Sequence, residues 1–177
     1  MAKVNFDEKG NPTPYGITEL SLKEFKNIFT EGTNNTQKRI ELFVNYKKYI
    51  MDFYKTILKN DNGDWKNWIN GSYTTNKKEP NDIDLLNLID GEKKINENDI
   101  QKFLTSRSLQ NNDSRKVYSI DAYIALIYKQ SDKRYEYAQK RIEYWKKWFG
   151  FDRNKNPKGI IQISILNDLI KEMCPLQ

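Results

Sequence analysis

The sequence contains no histidine. That absence removes Ser-His-Asp triads, histidine-ligated zinc and imidazole acid–base chemistry together. A single cysteine, Cys174, excludes an intramolecular disulfide. No uninterrupted apolar run is long enough to span a bilayer, and the polar stretch from Met1 to Pro14 has no apolar core of the signal-peptide kind. A cytoplasmic protein without membrane insertion is expected. Its chemistry is left to carboxylates, hydroxyls, lysines or bound metal.

What is present suits a folded domain. The 177 residues are 37% hydrophobic and 13% aromatic, enough to build a core despite the polar average. One domain over residues 1–177 is expected, with residues 1–16 as a turn-rich N-terminal arm carrying Gly10, Pro12, Pro14 and Gly16. Thirty basic residues against 24 acidic give a net charge of +6, a mixed surface with a basic excess. Such a surface favours an anionic ligand such as a triphosphate. Nucleic-acid binding ranks lower, because most aromatics fall on helix faces expected to be buried.

Ser21-Leu22-Lys23-Glu24 has the form of a capping box and opens a short helix bearing Leu22, Phe25, Ile28 and Phe29, which Gly32 ends. A longer helix follows from Asn34-Asn35-Thr36 to about Asn60, its apolar face drawn from Ile40, Phe43, Val44, Ile50, Phe53, Tyr54 and Ile57. Arg39 and the lysines then fall on a solvated face. Strands are expected over Trp65 to Asn70, Asp82 to Ile89, Val117 to Tyr128 and Ile160 to Ile165. Helices are expected around Ile100 to Leu104, over residues 132–149 with Trp145, Trp148 and Phe149 on the packed side, and from Leu166 to Met173. The pattern is α/β in the α+β sense: a small mixed sheet flanked by helices.

The stretch that carries chemistry runs from Gly71-Ser72, through nine residues, to Asp82-Ile83-Asp84. In a strand, residues two apart face the same way about 6 to 7 Å apart. Asp82 and Asp84 therefore share one side while Ile83 and Leu85 pack on the other. Two like charges so placed call for a divalent cation, and magnesium suits carboxylate oxygens and phosphates. Asp121 is the candidate third acid, since a carboxylate inside a long apolar run is costly to bury without a partner. Three acids suit a pair of magnesium ions, for which manganese is a substitute. Gly71 lets the backbone approach phosphate oxygens, to which its neighbouring amides and the Ser72 hydroxyl donate. Lys77, Lys78, Arg153, Lys155 and Lys158 are available to neutralise the phosphates.

Gly71-Ser72, the nine-residue spacer and Asp82-Ile83-Asp84-Leu85 resemble the signature of the DNA polymerase beta-type nucleotidyltransferase superfamily. There a Gly-Ser precedes two metal-binding acids, and a third acid follows on a later strand, where Asp121 falls. Gly16 to Ser21, the Arg39 helix, Ile120 to Tyr123, Tyr144 to Gly150, Asp152-Arg153 and Pro157 to Ile160 extend the resemblance to a family of small bacterial proteins of that superfamily. Asn70 departs from it, where an apolar residue is common.

The resemblance implies magnesium-dependent transfer of a nucleoside monophosphate from a triphosphate to a hydroxyl. Asp82, Asp84 and Asp121 would be the catalytic metal ligands, with Gly71, Ser72, Lys77, Arg153 and Lys158 on the nucleotide. The acceptor stays open between a partner protein, the protein itself, a small molecule and nucleic acid. A toxin–antitoxin or anti-phage defence setting is expected by analogy with small members of the superfamily, with a second copy or partner protein completing the acceptor surface. The alternative is a regulatory or assembly module that binds nucleotide without catalysis.

Overall fold

The computed structural model describes residues 3–32, 36–58, 64–93, 96–104 and 114–166. The chain opens with a two-stranded antiparallel ribbon, β1 (Asn5–Phe6) and β2 (Pro12–Thr13), and then builds a mixed five-stranded sheet. Its strands are β3 (Gly16–Glu19), β4 (Trp65–Asn70), β5 (Ile83–Asp90), β6 (Ile120–Ile127) and β7 (Gly159–Ser164), in the order β3-β7-β4-β5-β6. β3 runs parallel to β7 and β5 parallel to β6, while β4 is antiparallel to both of its neighbours. This is the mixed α+β sheet that the hydrophobic pattern predicts.

Helices cover both faces. α1 (Leu22–Lys26) passes directly into a π-helical turn over Asn27–Glu31, and α2 (Gln37–Thr56) follows. α3 (Glu97–Leu104), α4 (Ser114–Tyr118) and α5 (Tyr135–Phe149) complete the set among the described residues. The capping box at Ser21 forms as expected: the Glu24 amide donates to Ser21 Oγ at 3.2 Å and the Ser21 amide to Glu24 Oε2 at 2.8 Å. That backbone donor, with Lys3 beside it, holds the Glu24 carboxyl down at about 2. Among the described residues no helix is long and apolar enough to cross a membrane.

Alternation along β5 divides the core in two. Ile83, Leu85 and Ile89 enter the layer under α1 and α2, with Phe25, Leu42, Tyr46 and Phe53. Leu86 and Leu88 enter the layer under α5, with Ile142, Trp145 and Phe149. Burying each of those α5 side chains contributes about 1.5–3 kcal/mol. Between β4, β5 and α2 lies a polar knot. Asn87 Oδ1 accepts from Trp65 Nε1 (3.2 Å) and Asn67 Nδ2 (3.0 Å), and Asn87 Nδ2 donates to Tyr49 Oη (2.7 Å) and to the Tyr123 carbonyl (3.0 Å). With both ends of the Asn87 amide engaged, a group that is otherwise costly to bury is accommodated in the core.

Several local expectations change. The buried side of α2 centres on Leu42, Tyr46 and Tyr49, leaving Ile40 and Val44 exposed, because tyrosines supply the packing that the aliphatics were expected to give. Val117 and Tyr118 belong to α4, which turns into β6 through Ser119 at φ 56°, so the strand starts at Ile120 rather than Val117. The N-terminal arm is not loose where it is described: Asn11 is buried and donates to Asp152 Oδ2 (3.1 Å) and the Pro157 carbonyl (3.3 Å). Gly16, taken as the end of that arm, already begins β3. The expected terminal helix beyond Leu166 lies outside the described residues.

Candidate active site

One row of side chains crosses three strands. Asp84 on β5 is opposite Asn70 on β4 and Asp121 on β6. Opposed residues on adjacent strands project to the same face, with the strands about 4.8 Å apart. Asp82, just ahead of β5, sits two residues before Asp84. The face is the one that α5 covers, and the row lies at the level of the end of α5: Asn70 Nδ2 donates to the Phe149 carbonyl at 2.5 Å. Ile83 and Leu85 are fully buried on the opposite face, as the alternation requires.

The three acids act on one another. Burial first, then the charges of Asp82 and Asp121, push the Asp84 carboxyl up to about 6, against the smaller opposing pull of Lys158 and Arg153. The chain's own cation meets the outer two: Arg115 on α4 lies 3.0 Å from Asp82 and 3.9 Å from Asp121. Tyr123 Oη donates to Asp121 Oδ2 at 3.1 Å, and burial followed by the Asp121 charge raises that phenol to about 12. Among the described residues, no three acids close around a common point as they stand. The donor set nonetheless fits a hard divalent cation: it is all carboxylate, on one face of the sheet, with Asp84 held above its ordinary range by burial and then by like charge.

The Gly-Ser turn is built against this row. Gly71 has φ 75°, a left-handed conformation, and a Cβ placed there would fall 1.8 Å from Asp84 Oδ2. Its amide donates to Asn70 Oδ1 at 2.6 Å, and its carbonyl accepts from Lys158 Nζ. A single 3-10 turn starts at Ser72, which is half-buried beside the acids. Gly71→Ala is expected to lose about 1–3 kcal/mol from backbone strain alone, and more from the clash with Asp84. An unchanged melting temperature for that variant would contradict this packing.

Lys158 is almost wholly buried, and burial lowers its ammonium to about 8 against the raising influence of Asp84 and Asp152. Sequence reasoning places Lys158 on the nucleotide; the structure engages it with the Gly71 carbonyl, so that it holds the turn. Arg153 is exposed in the loop between α5 and β7, where its charge reaches Asp84. Lys77 is exposed, and its main-chain carbonyl is held by a hydrogen bond.

The residue that fixes it is Arg39. Sequence reasoning left Arg39 on a solvated helix face, yet it is completely buried. Its guanidinium donates to the carbonyls of Phe29 (2.6 Å), Tyr73 (2.8 Å), Thr75 (2.7 Å) and Lys77 (2.5 Å). The planar fork thereby ties α2 and the π-helical turn to the segment that leaves Ser72. Asn70 is another residue whose part was not foreseen, as are Arg115 and Tyr123. An asparagine directly before a strand-end glycine is a turn signal in its own right.

Residues 4–164 match the model of a family described only as a family of unknown function, DUF6932. No curated protein and no solved structure matches the chain. The match spans the ribbon, the whole sheet, the carboxylate row and Lys158. The chain therefore belongs to the family of unknown function DUF6932.

Proposed function

We propose that the protein is a nucleotidyltransferase that uses Asp82, Asp84 and Asp121 to hold magnesium and moves a nucleoside monophosphate from a nucleoside triphosphate to a hydroxyl. The observation that carries this reading is the register of Asp84 with Asp121, with Asp82 on the same side and Gly71 packed against the Asp84 carboxylate. Magnesium bound there would neutralise triphosphate oxygens and acidify the acceptor hydroxyl. The Ser72 hydroxyl and the amides of its turn would donate to phosphate oxygens, with Arg153 adding charge from the loop. Asp121 would take the proton of the acceptor hydroxyl. The acceptor oxygen would form a bond to the α-phosphorus, and the bond from that phosphorus to the bridging oxygen would break, releasing pyrophosphate. Lys158 and Asn70 would hold the Gly71 turn in place while this happens.

Incubation with each labelled nucleoside triphosphate and magnesium, followed for pyrophosphate and for label on protein, small hydroxyl compounds or nucleic acid, tests the reading. Binding of nucleotide without pyrophosphate under every acceptor condition would overturn it in favour of a regulatory module. One observation favours that second reading: the Arg115 guanidinium already pairs with Asp82 and lies within 3.9 Å of Asp121.

The two readings differ in what Arg115 does. In the transferase it competes with magnesium, so Arg115→Ala is expected to shift the magnesium titration of activity severalfold towards lower concentration. Arg115 is largely exposed, so fold stability should change by less than about 1 kcal/mol. A titration unmoved by the substitution would show that the guanidinium does not compete.

A further inference from the structure

The carboxylate row does not end at Tyr123. The Tyr123 ring lies 4.7 Å from Trp145, Trp145 lies 5.4 Å from Tyr144, and Tyr144 stacks on Trp148 at 6.2 Å. The first two of these rings belong to the core, and the last two stand in solvent. Tyr144 is 48% exposed and Trp148 61%. Trp148 was expected on the packed side of its helix, but α5 buries Ala138, Ile142, Trp145 and Phe149, a face from which Trp148 is turned well away. Tyr137, Arg141, Tyr144 and Trp148 follow one another at steps of four, three and four residues and form a single stripe along α5. Arg141 lies over the Tyr144 ring at 5.8 Å, and Phe151, just past the helix end, is exposed as well.

Basic side chains stand at the same place. α5 carries four of them, Lys140, Arg141, Lys146 and Lys147, against Glu136 and Glu143, a net +2. On α5, Lys140 and Lys147 are exposed beside the aromatic stripe. Exposed flat rings in a row, flanked by cations and leading to a carboxylate cluster, suit a polyanion that carries stackable rings of its own. Paired bases in a duplex have their faces occupied by their neighbours, whereas a single strand offers them to protein aromatics.

We infer that the exposed face of α5 binds single-stranded nucleic acid and leads its terminal hydroxyl to Asp121 as the acceptor. Bases stack on Tyr144 and Trp148, and phosphates run beside Lys140 and Lys147. The inference rests on the nucleotidyltransferase reading for the reaction, but the binding stands apart from it.

Fluorescence anisotropy with labelled homopolymer DNA and RNA strands of about 20 nucleotides, and with a duplex of equal length, tests the binding without nucleotide or magnesium. Single strands are expected to bind at least about tenfold more tightly than duplex, with quenching of tryptophan emission. Tyr144→Ala with Trp148→Ala is expected to weaken binding about a hundredfold, while Tyr144→Phe with Trp148→Phe retains most of it. Lys140→Gln with Lys147→Gln should lower the slope of log affinity against log salt by about 1 to 2. Both aromatic pairs are surface substitutions, and melting curves check that each variant folds. Equal binding of single strand and duplex, or an alanine pair that binds like wild type, overturns the inference. Failure of every oligonucleotide to bind also overturns it, in favour of a protein partner on the stripe. Pyrophosphate release, measured on the same preparations, separates the two readings. Strand binding with no release from any triphosphate removes the transferase and leaves the stripe, and release without strand binding removes the stripe alone.

Discussion

Asp84→Asn is expected to lose most of the proposed nucleotide transfer and yet to melt at a higher temperature than the wild type. Activity should fall by at least about a hundredfold, because the central acid of the row is removed. The stability gain follows from the position of its carboxyl at about 6 in the folded protein, against 3.8 in an open chain. A carboxyl that binds its proton more tightly when folded leaves the fold most stable below the unfolded value, and stability is lost as pH rises from about 4 through about 6. Above that window the wild type carries a penalty of about 3 kcal/mol that asparagine does not. Melting curves in chelator should therefore coincide near pH 4 and separate by several degrees at pH 7. Curves that separate equally at both pH values would show that Asp84 is not held up by its neighbours. The experiment also reads the proposed function from the stability side, since residues held against their own preference are a mark of sites arranged for chemistry.

The second large effect is expected at Arg39. Arg39→Met keeps much of the volume but leaves four carbonyls, those of Phe29, Tyr73, Thr75 and Lys77, without their common donor. The loss should be about 3–5 kcal/mol, the range for breaking a buried, hydrogen-bonded charge arrangement. Arg39→Lys should recover only part of it, since one ammonium cannot reproduce the fork. The damage should be local as well as global. Hydrogen exchange is expected to quicken first at residues 73–77, because Arg39 is what joins that segment to α2. A melting temperature within two or three degrees of wild type would mean that the carbonyls find other partners and that this account of the loop is wrong.

These two residues show how unevenly the site could be read from sequence. The acids were legible because a strand repeats every two residues, so Asp82-Ile83-Asp84 already states which side chains share a face. The glycine was legible because a turn between strands needs one, although its contact with Asp84 is visible only in three dimensions. The burial of Arg39 and of Lys158 was not legible. Each is one cation among many, and its burial is decided by carbonyls distant in sequence, those of residues 73–77 for Arg39 and of Gly71 for Lys158. The stripe on α5 failed for a related reason. Trp145, Trp148 and Phe149 all lie within one turn and a half, and residue type alone does not tell which of the tryptophans faces the sheet.

The fold was legible in outline for the same physical reasons. Long buried strands such as Leu85 to Ile89 announce themselves by composition. β3 was missed because Gly16–Glu19 is a short edge strand, mostly exposed, with too few apolar residues to stand out from a loop. The start of β6 was set too early, since Val117 and Tyr118 are strong strand formers that α4 nonetheless uses in its final turn.

The knot around Asn87 bears on the carboxylate row in a way that its distance from the acids conceals. β5 buries apolar residues on both faces, so a slip by one residue against β4 would still leave Leu86 and Leu88 packed, but it would turn Asp84 towards the layer under α1 and α2. Asn87 is directly opposite Asn67, three rungs along from the pair of Asp84 and Asn70. A slip would tear its amide from Asn67, Trp65 and Tyr49 at once and strand those groups in the core. The asparagine thus works as an indexing pin: it counts β5 into step with β4 and, through the Tyr123 carbonyl, with β6, so that Asn70, Asp84 and Asp121 arrive side by side.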